Sequence, residues 1–494
     1  HIADVTYFLH DGSAMDVEAA KRATTVYLVN KRIDMVPKLL SENLCSLREK
    51  VDRLTFSVVW EVNSDAEVIS RRFFKSVIRS RAALSYGEAQ TRIDDPSSND
   101  EITQGLRLLL GLSKKLKERR LEAGALSLAS PEVKFSLDSE TNNPTDVQMY
   151  QLKETNSMVE EFMLLANIAV ADFITQHFPT HALLRRHPPP APRAFDGLVS
   201  ACEAVGVELD VSSSKILAQS LDHASLDGNA YFNRLLRILC TRCMQQAVYF
   251  CSGDLSADEY FHYGLATSIY THFTSPIRRY ADVVVHRLLA AALGIAPLAT
   301  SLTDRESMRD SADNMNYRNR MAQFAQRSSV ELHTLLFFRS KDIVEDAYIS
   351  RLRENAIVVL VPRFGIEATV YVAGEDRPQK PSSGLVFELD EVAHALRCAS
   401  LDIDLRVFAK VRVRIRVVTD LATQQANVEV TLVEPSLEPQ VAISGSGTKR
   451  LRGNVASEDQ DGEQHVASKV VKTRTRNTAS GGNNNSRASR KKRK

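Results

Sequence analysis

YTHFTSPIRRYADVVVHR, Tyr270 to Arg287, is the stretch on which the reading of this 494-residue chain turns. Thr274-Ser275-Pro276 is a helix-start signal, because Ser275 is placed to cap the first turn and proline suits the first helical position, where a backbone N–H would have no partner. On that reading Arg278 and Arg279 stand within about one turn of a helix N-terminus, where unpaired N–H groups and the positive dipole end already favour an anion. Two guanidinium groups there make a phosphate site. Spacing alone also fits a plainer arrangement, in which Arg278 pairs with Asp282 one turn on while Tyr280, Val284 and Leu288 pack a core face.

The rest of the chain supplies the context. At 44% hydrophobic and 25% charged residues the composition is that of a globular protein with room for two or three domains. No apolar run reaches the roughly 18 residues that span a bilayer, since VVVHRLLAAALGIA is broken by His286 and Arg287. The net charge is +2, but the stretch from Ser436 carries thirteen Lys and Arg against five Asp and Glu, which puts +8 there and −6 on the body. Nucleic-acid contact by such a body calls for local patches or a lined channel. Six scattered cysteines do not make a disulfide framework and suit a reducing compartment.

Taken in order, IADVTYFL, TTVYLVN and RLTFSVVWEV read as strands, with HDGSAMD a polar joint between the first two. Tyr27 lies in the second, where a packed strand tyrosine is the simple reading. Residues 64–95 read as a strand and a short helix, 101–123 as a helix ended by Gly124, and EVKFSLD with DVQMYQLK as a hairpin. A long helix follows over 156–178, its Glu160 and Glu161 expected to cap or face water. Cys240 and Cys243 form a C-x-x-C pair on a helix drawn over 231–250, but no second ligand pair accompanies them, so both read as core thiols. His262 and His272 read as structural, and 313–341 as another helix carrying Arg318, Arg320 and Arg327. From about Ile343 four β-rich runs with Gly, Pro and Asp joints predict a small closed barrel. One of its strands alternates Lys410, Arg412, Arg414 and Arg416 with apolar residues, a basic face that suits either edge protection or RNA. Beyond Ser436 there is no aromatic residue, and KRLR at 449–452 and RKKRK at 490–494 are basic clusters of the nuclear-import type.

TSPIRRYAD followed by an apolar helix resembles the signature of the ribonuclease II and R family, whose central domain is called RNB. HIADV, TTVYLVNKRIDMVP (24–37), LCSLR (44–48), EEFMLLANIAVA (160–171), HALLRRHPPP (181–190) and NYRNRMAQFAQR (316–327) are similar to that family in the same order, and most of all to its eukaryotic exosome branch. The resemblance covers residues 1–435. It implies an α+β architecture: an RNB domain over 1–343 with a mixed sheet and long helices, an S1-type OB-fold over 344–435, and a disordered basic tail over 436–494. It further implies a processive 3′-to-5′ exoribonuclease that hydrolyses single-stranded RNA to nucleoside 5′-monophosphates, with exosome core subunits as partners, magnesium as cofactor and a nuclear location.

Carried over residue by residue, the resemblance gives Arg278 the scissile phosphate, Tyr27 a base near the RNA 3′ end, and Phe178 a second stacking position. Arg279 would meet the RNA backbone or a structural carboxylate, while Lys410 and Arg412 would contact RNA from the barrel. The family's metal-binding aspartates, D-x5-D-x-D-D, are absent and belong upstream of HIADV. The chain is therefore expected to be an inactive C-terminal portion, and Asp4 inherits no metal role. A non-catalytic RNA-binding scaffold that keeps the RNB shell is the alternative.

Overall fold

The structure, a computed structural model, describes residues 1–139, 143–149, 152–372, 385–420 and 423–437. KRLR, RKKRK and nearly all of the expected tail lie outside the described residues.

The chain opens with β1 (Ile2–Ala3), far shorter than the strand expected over IADVTYFL. Asp4 ends it. Its buried carboxylate accepts from Thr6 Oγ1 at 2.6 Å and pairs with Lys75 at 3.0 Å, which folds Val5–Tyr7 into a 3₁₀ turn. The joint HDGSAMD hides a helix start: Ser13 Oγ accepts from Asp16 N–H and caps α1 (Ala14–Arg22). A small hairpin, β2 (Val26–Tyr27) with β3 (Arg32–Ile33), places Tyr27 opposite Arg32. β4 (Asp52–Val62) and β5 (Val68–Arg79) form a long antiparallel pair, and β1 joins β4 with Ile2 opposite Phe56.

α2 (Tyr86–Asp94), α3 (Glu101–Glu122), the hairpin β6 (Val133–Leu137) with β7 (Pro144–Met149), and α4 (Glu154–His177) follow much as their periodicity predicts. The exception is Glu161, expected at the surface and found buried, where Arg120 of α3 grips it with two hydrogen bonds of 2.6 and 3.1 Å. Part of the basic run KKLKERR is thus an internal counter-charge. Beyond β8 (Leu183–Arg186) come α5 (Asp196–Glu203), α6 (Ser214–His223) and α7 (Phe232–Cys243). The helix drawn over 231–250 stops at Cys243. Val248–Cys251 instead forms β9, paired with β8 so that Leu183 faces Cys251, because VYFC gains a strand partner that a helix would deny it.

α8 (Tyr280–Ala292) is enclosed on every face, with each residue from Tyr280 to Ala290 buried. It is the axis of the main core, which also takes Phe56, Val170, Ile174, Leu183, Phe273 and Met308. α9 (Arg305–Phe338), capped by Asp304, starts eight residues before the predicted Asp313 and runs 34 residues toward the barrel. In the barrel β10 (Ile343–Arg353), β11 (Ala356–Val361) and β12 (Ile366–Tyr371) pair in order. A meander, β13 (Glu388–Asp390), β14 (Ala395–Cys398) and β15 (Ile403–Arg406), leads to β16 (Lys410–Thr419) and β17 (Ala426–Glu434). The main sheet runs β12-β11-β10-β16-β17, and β12 approaches β17 so that it nearly closes. Asn229 donates to the Phe408 carbonyl at 2.8 Å and Tyr231 stacks on Tyr348, tying the α7 region to the barrel. Gly365 is required at a close approach, because a Cβ there would lie 2.5 Å from the Pro131 carbonyl oxygen and its φ is +61°.

Removing one partner of a buried ion pair strands the other charge. Glu161→Ala is therefore expected to cost about 3–5 kcal/mol by leaving Arg120 unpaired, read as a lower urea midpoint. Arg92→Ala, which breaks only the exposed pair with Asp100, should leave that midpoint nearly unchanged.

Candidate functional site

The signature segment starts differently from its sequence reading. Residues 275–278 form a β-turn closed by Arg278 N–H on the Ser275 carbonyl at 3.2 Å, with Pro276 at the second position that its fixed φ favours. α8 begins only at Tyr280, and Arg279 precedes it in extended conformation at φ −136°, ψ 123°. The reason is strand pairing. Arg279 bridges Thr24, Thr25 N–H donates to the Arg278 carbonyl at 3.0 Å, and Tyr280 N–H donates to the Ala23 carbonyl at 2.8 Å. Ser275 does not cap α8, whose cap position is Arg279; its N–H instead donates to Asp282 Oδ1 at 2.6 Å.

Asp282 belongs to Arg279 and not, as the plainer sequence reading had it, to Arg278. The Arg279 guanidinium forks onto the fully buried carboxylate with bonds of 2.7 and 2.8 Å. Burial opposes charge on Arg279, but Asp282 and the nearby Tyr249 outweigh it and raise its pKa above the ordinary value. Arg278 is left exposed. Its side chain touches Ser275 Oγ at 3.4 Å and pairs with no carboxylate among the described residues.

Arg278 and Tyr27 line one cavity of 340 Å³, closed by Thr274–Ile277 on one side and by Asp34, Ser41 and Cys45 on another. Tyr27 is 42% exposed, an aromatic surface open to this space. The other cation on the cavity, Arg32, is already engaged with Asp34 at 2.5 Å and Glu42 at 3.1 Å. Arg278 is thus the cation left for an incoming anion, beside a ring on which a planar group can stack. Sequence reading missed Asp34 and Ser41. Asp34 lies within the motif TTVYLVNKRIDMVP, which was the available signal, while nothing in the sequence around Ser41 marks it.

The remaining sequence candidates lie elsewhere. Phe178 ends α4 half-buried against the main core, its ring 5.2 Å from that of His181, and does not line the cavity. Arg279 lies behind the turn. Lys410 and Arg412 are exposed on β16, paired with Asp346 at 2.8 Å and Glu434 at 2.9 Å. Arg414 and Arg416 pair likewise with Asp342 and Glu429, so the basic face is a ladder of ion pairs. Cys240 is a buried core thiol, its pKa pushed up by burial, and among the described residues no three His, Cys, Asp or Glu side chains gather as metal ligands. Around Arg278 the single carboxylate is Asp34, already held by Arg32 and Ser41, so the residues present do not fit a metal pair. No helix of the described residues is long and apolar enough to cross a membrane.

Residues 1–295 match the family described as the RNB domain, and residues 343–430 match an S1 domain. The chain is 53% identical over 447 residues to the exosome complex exonuclease RRP44 of Homo sapiens, an alignment covering 90% of this chain and 45% of that protein. It thus spans less than half the length of this curated relative. Its fold is similar to the apo form of Mycoplasma genitalium RNase R, with TM-score 0.72, 21% identity, and 87% of this chain and 66% of that one covered. Yeast Ssd1, a pseudonuclease, is similar at TM-score 0.69 and 19% identity, over 87% and 63% of the two chains. At those identities the likeness shows fold alone.

Behind the turn lies a buried polar relay. Tyr249 OH and His272 Nδ1 are 2.6 Å apart, Asn167 donates to Tyr270 OH at 2.9 Å, and His262 packs between His187 and Tyr270. Burial first, then neighbouring cations, holds His272 well below its usual pKa, and burial with His187 brings His262 down to about 3. An unfolded histidine titrates near pH 6.5. Folding therefore excludes protons that the unfolded chain takes up, and stability is full above about pH 6.5 and lost as the pH falls below it. The urea midpoint should be flat from pH 8 to 7 and drop between pH 6.5 and 5, and a midpoint unchanged down to pH 5 would contradict neutral buried histidines.

Proposed function

The chain belongs to the RNB domain family, and from that premise we propose that it forms the 3′-end-holding portion of a 3′-to-5′ exoribonuclease acting on single-stranded RNA. One observation carries the reading: an exposed, unpaired Arg278 and an exposed Tyr27 share a cavity while the neighbouring Arg32 and Arg279 are each committed to carboxylates. Tyr27 offers a face on which any base stacks, which suits an enzyme that must accept every sequence. Arg278 places a fixed positive charge where the phosphoryl group gathers negative charge on its way to a nucleoside 5′-monophosphate, an interaction stronger in the transition state than in the bound substrate. Magnesium enters through the resemblance alone, and no step is assigned to it here.

We further propose that the chain by itself binds RNA without cleaving it, and that cleavage belongs to the longer protein that carries it. Association with exosome core subunits and a nuclear location directed by KRLR and RKKRK are proposals of the same standing, supported by the similarity to RRP44 and by the basic clusters. The non-catalytic RNA-binding scaffold is the second reading, in which the cavity of Arg278 and Tyr27 serves binding alone. In the barrel, a phosphate contact by Lys410 or Arg412 would have to draw it away from Asp346 or Glu434.

In the longer protein, Arg278→Ala should lower kcat for monophosphate release by about 10²–10³ with RNA affinity little changed. A loss of affinity with kcat unchanged would assign Arg278 to ground-state binding instead. Tyr27→Ala should weaken single-stranded RNA binding to this chain by about 1–3 kcal/mol in fluorescence anisotropy, and Tyr27→Phe should leave it near wild type.

A further inference from the structure

Arg278 is an exposed arginine with many rotamers, and its place relative to Tyr27 depends on what holds the turn that carries it. Two sets of contacts hold that turn. The Asp282 carboxylate collects three N–H groups from the turn: Ser275 N–H at 2.6 Å and the Arg279 guanidinium at 2.7 and 2.8 Å. Ser275 and Arg279 are the two ends of the segment that carries Arg278, so one buried carboxylate pins both. On the other side, Thr25 N–H holds the Arg278 carbonyl at 3.0 Å, while Thr25 Oγ1 accepts from Met35 N–H at 3.0 Å. Thr25 lies two residues before Tyr27, in the segment that leads directly into β2.

We propose that Asp282 is a positioning residue for Arg278: through Ser275 and Arg279 it fixes the turn against the Thr24–Thr25 strand, and so sets the distance between the phosphate-holding guanidinium and the base-holding ring. This rests on the reading of Arg278 and Tyr27 as one site. Asp282 touches no substrate. A displacement of the order of 1 Å at Arg278 is enough to cost about a hundredfold in rate.

The test must separate positioning from stability, because Asp282→Ala alone strands a buried Arg279 and invites unfolding. Asp282→Leu/Arg279→Met replaces the buried pair by apolar groups of similar size and is expected to restore the urea midpoint while leaving the turn without its anchor. The probe is adenosine 5′-monophosphate, titrated calorimetrically into this chain, which needs no turnover. The double variant should bind it about tenfold more weakly, as Arg278→Ala does, and the triple variant should be no weaker than either. In the longer protein the double variant should keep its KM for RNA and lose about a hundredfold in kcat. Wild-type monophosphate affinity in the stable double variant, or additive losses in the triple, would overturn the inference. Absence of turnover in the longer wild-type protein would count against the nuclease reading alone, since the monophosphate titration decides the positioning role without it.

Discussion

A carboxylate with no exposed surface has to be met by donors, because several kcal/mol of hydration are otherwise lost. Asp282 is such a group, and the local structure follows from satisfying it. Its nearest cation in sequence is Arg279, which forks onto both oxygens from an extended backbone just before α8. Extension delays the helix to Tyr280 and lets residues 23–25 pair with 278–280. Side chains of successive residues leave such a backbone on opposite sides, so drawing Arg279 inward turns Arg278 outward. The exposed guanidinium is a consequence of the buried one.

The same logic holds at the other end of α8. Arg287, buried on the helix, is met by Asp16 at 2.7 Å and by the Leu9 carbonyl at 3.0 Å, while Tyr280 OH donates to Asp16 at 3.0 Å. The N-terminal segment is therefore held to α8 at two levels, by strand pairing at residues 23–25 and by this ion pair beneath it. The cavity is a joint product of residues some 250 positions apart in sequence, both held to the core helix α8.

This explains which parts of the site could be read before the fold was known. TSPIRRYAD marks a polar segment feeding a buried helix, and apolar periodicity alone locates α3 and α4 to within a few residues, the body of α9 without its first two turns, and the β-rich character of the barrel. What periodicity does not carry is the choice between partners. Arg278–Asp282 and Arg279–Asp282 are both at helical spacing, and only the competing strand at Thr24–Thr25 selects the second. Glu161 was misplaced for the same reason, since its partner Arg120 lies on another helix. VYFC was drawn into α7 because its strand partner, Leu183–Arg186, is far away in sequence. α1 was missed at a Gly-Ser joint where the serine is a cap and not a loop residue.

Charge shows most plainly how far such reading reaches. β16 alternates four cations with apolar residues along one face, and by composition it is an obvious nucleic-acid face. Yet each of its four cations meets a carboxylate on or beside a neighbouring strand, so the field it presents is close to neutral. Arg278 stands in a body whose net charge is negative and looks unremarkable in a count of charges. It is distinctive only on its own cavity, once the engaged Arg32 is subtracted, and there the arginine left over says more about where an anion binds than the place where cations are most numerous.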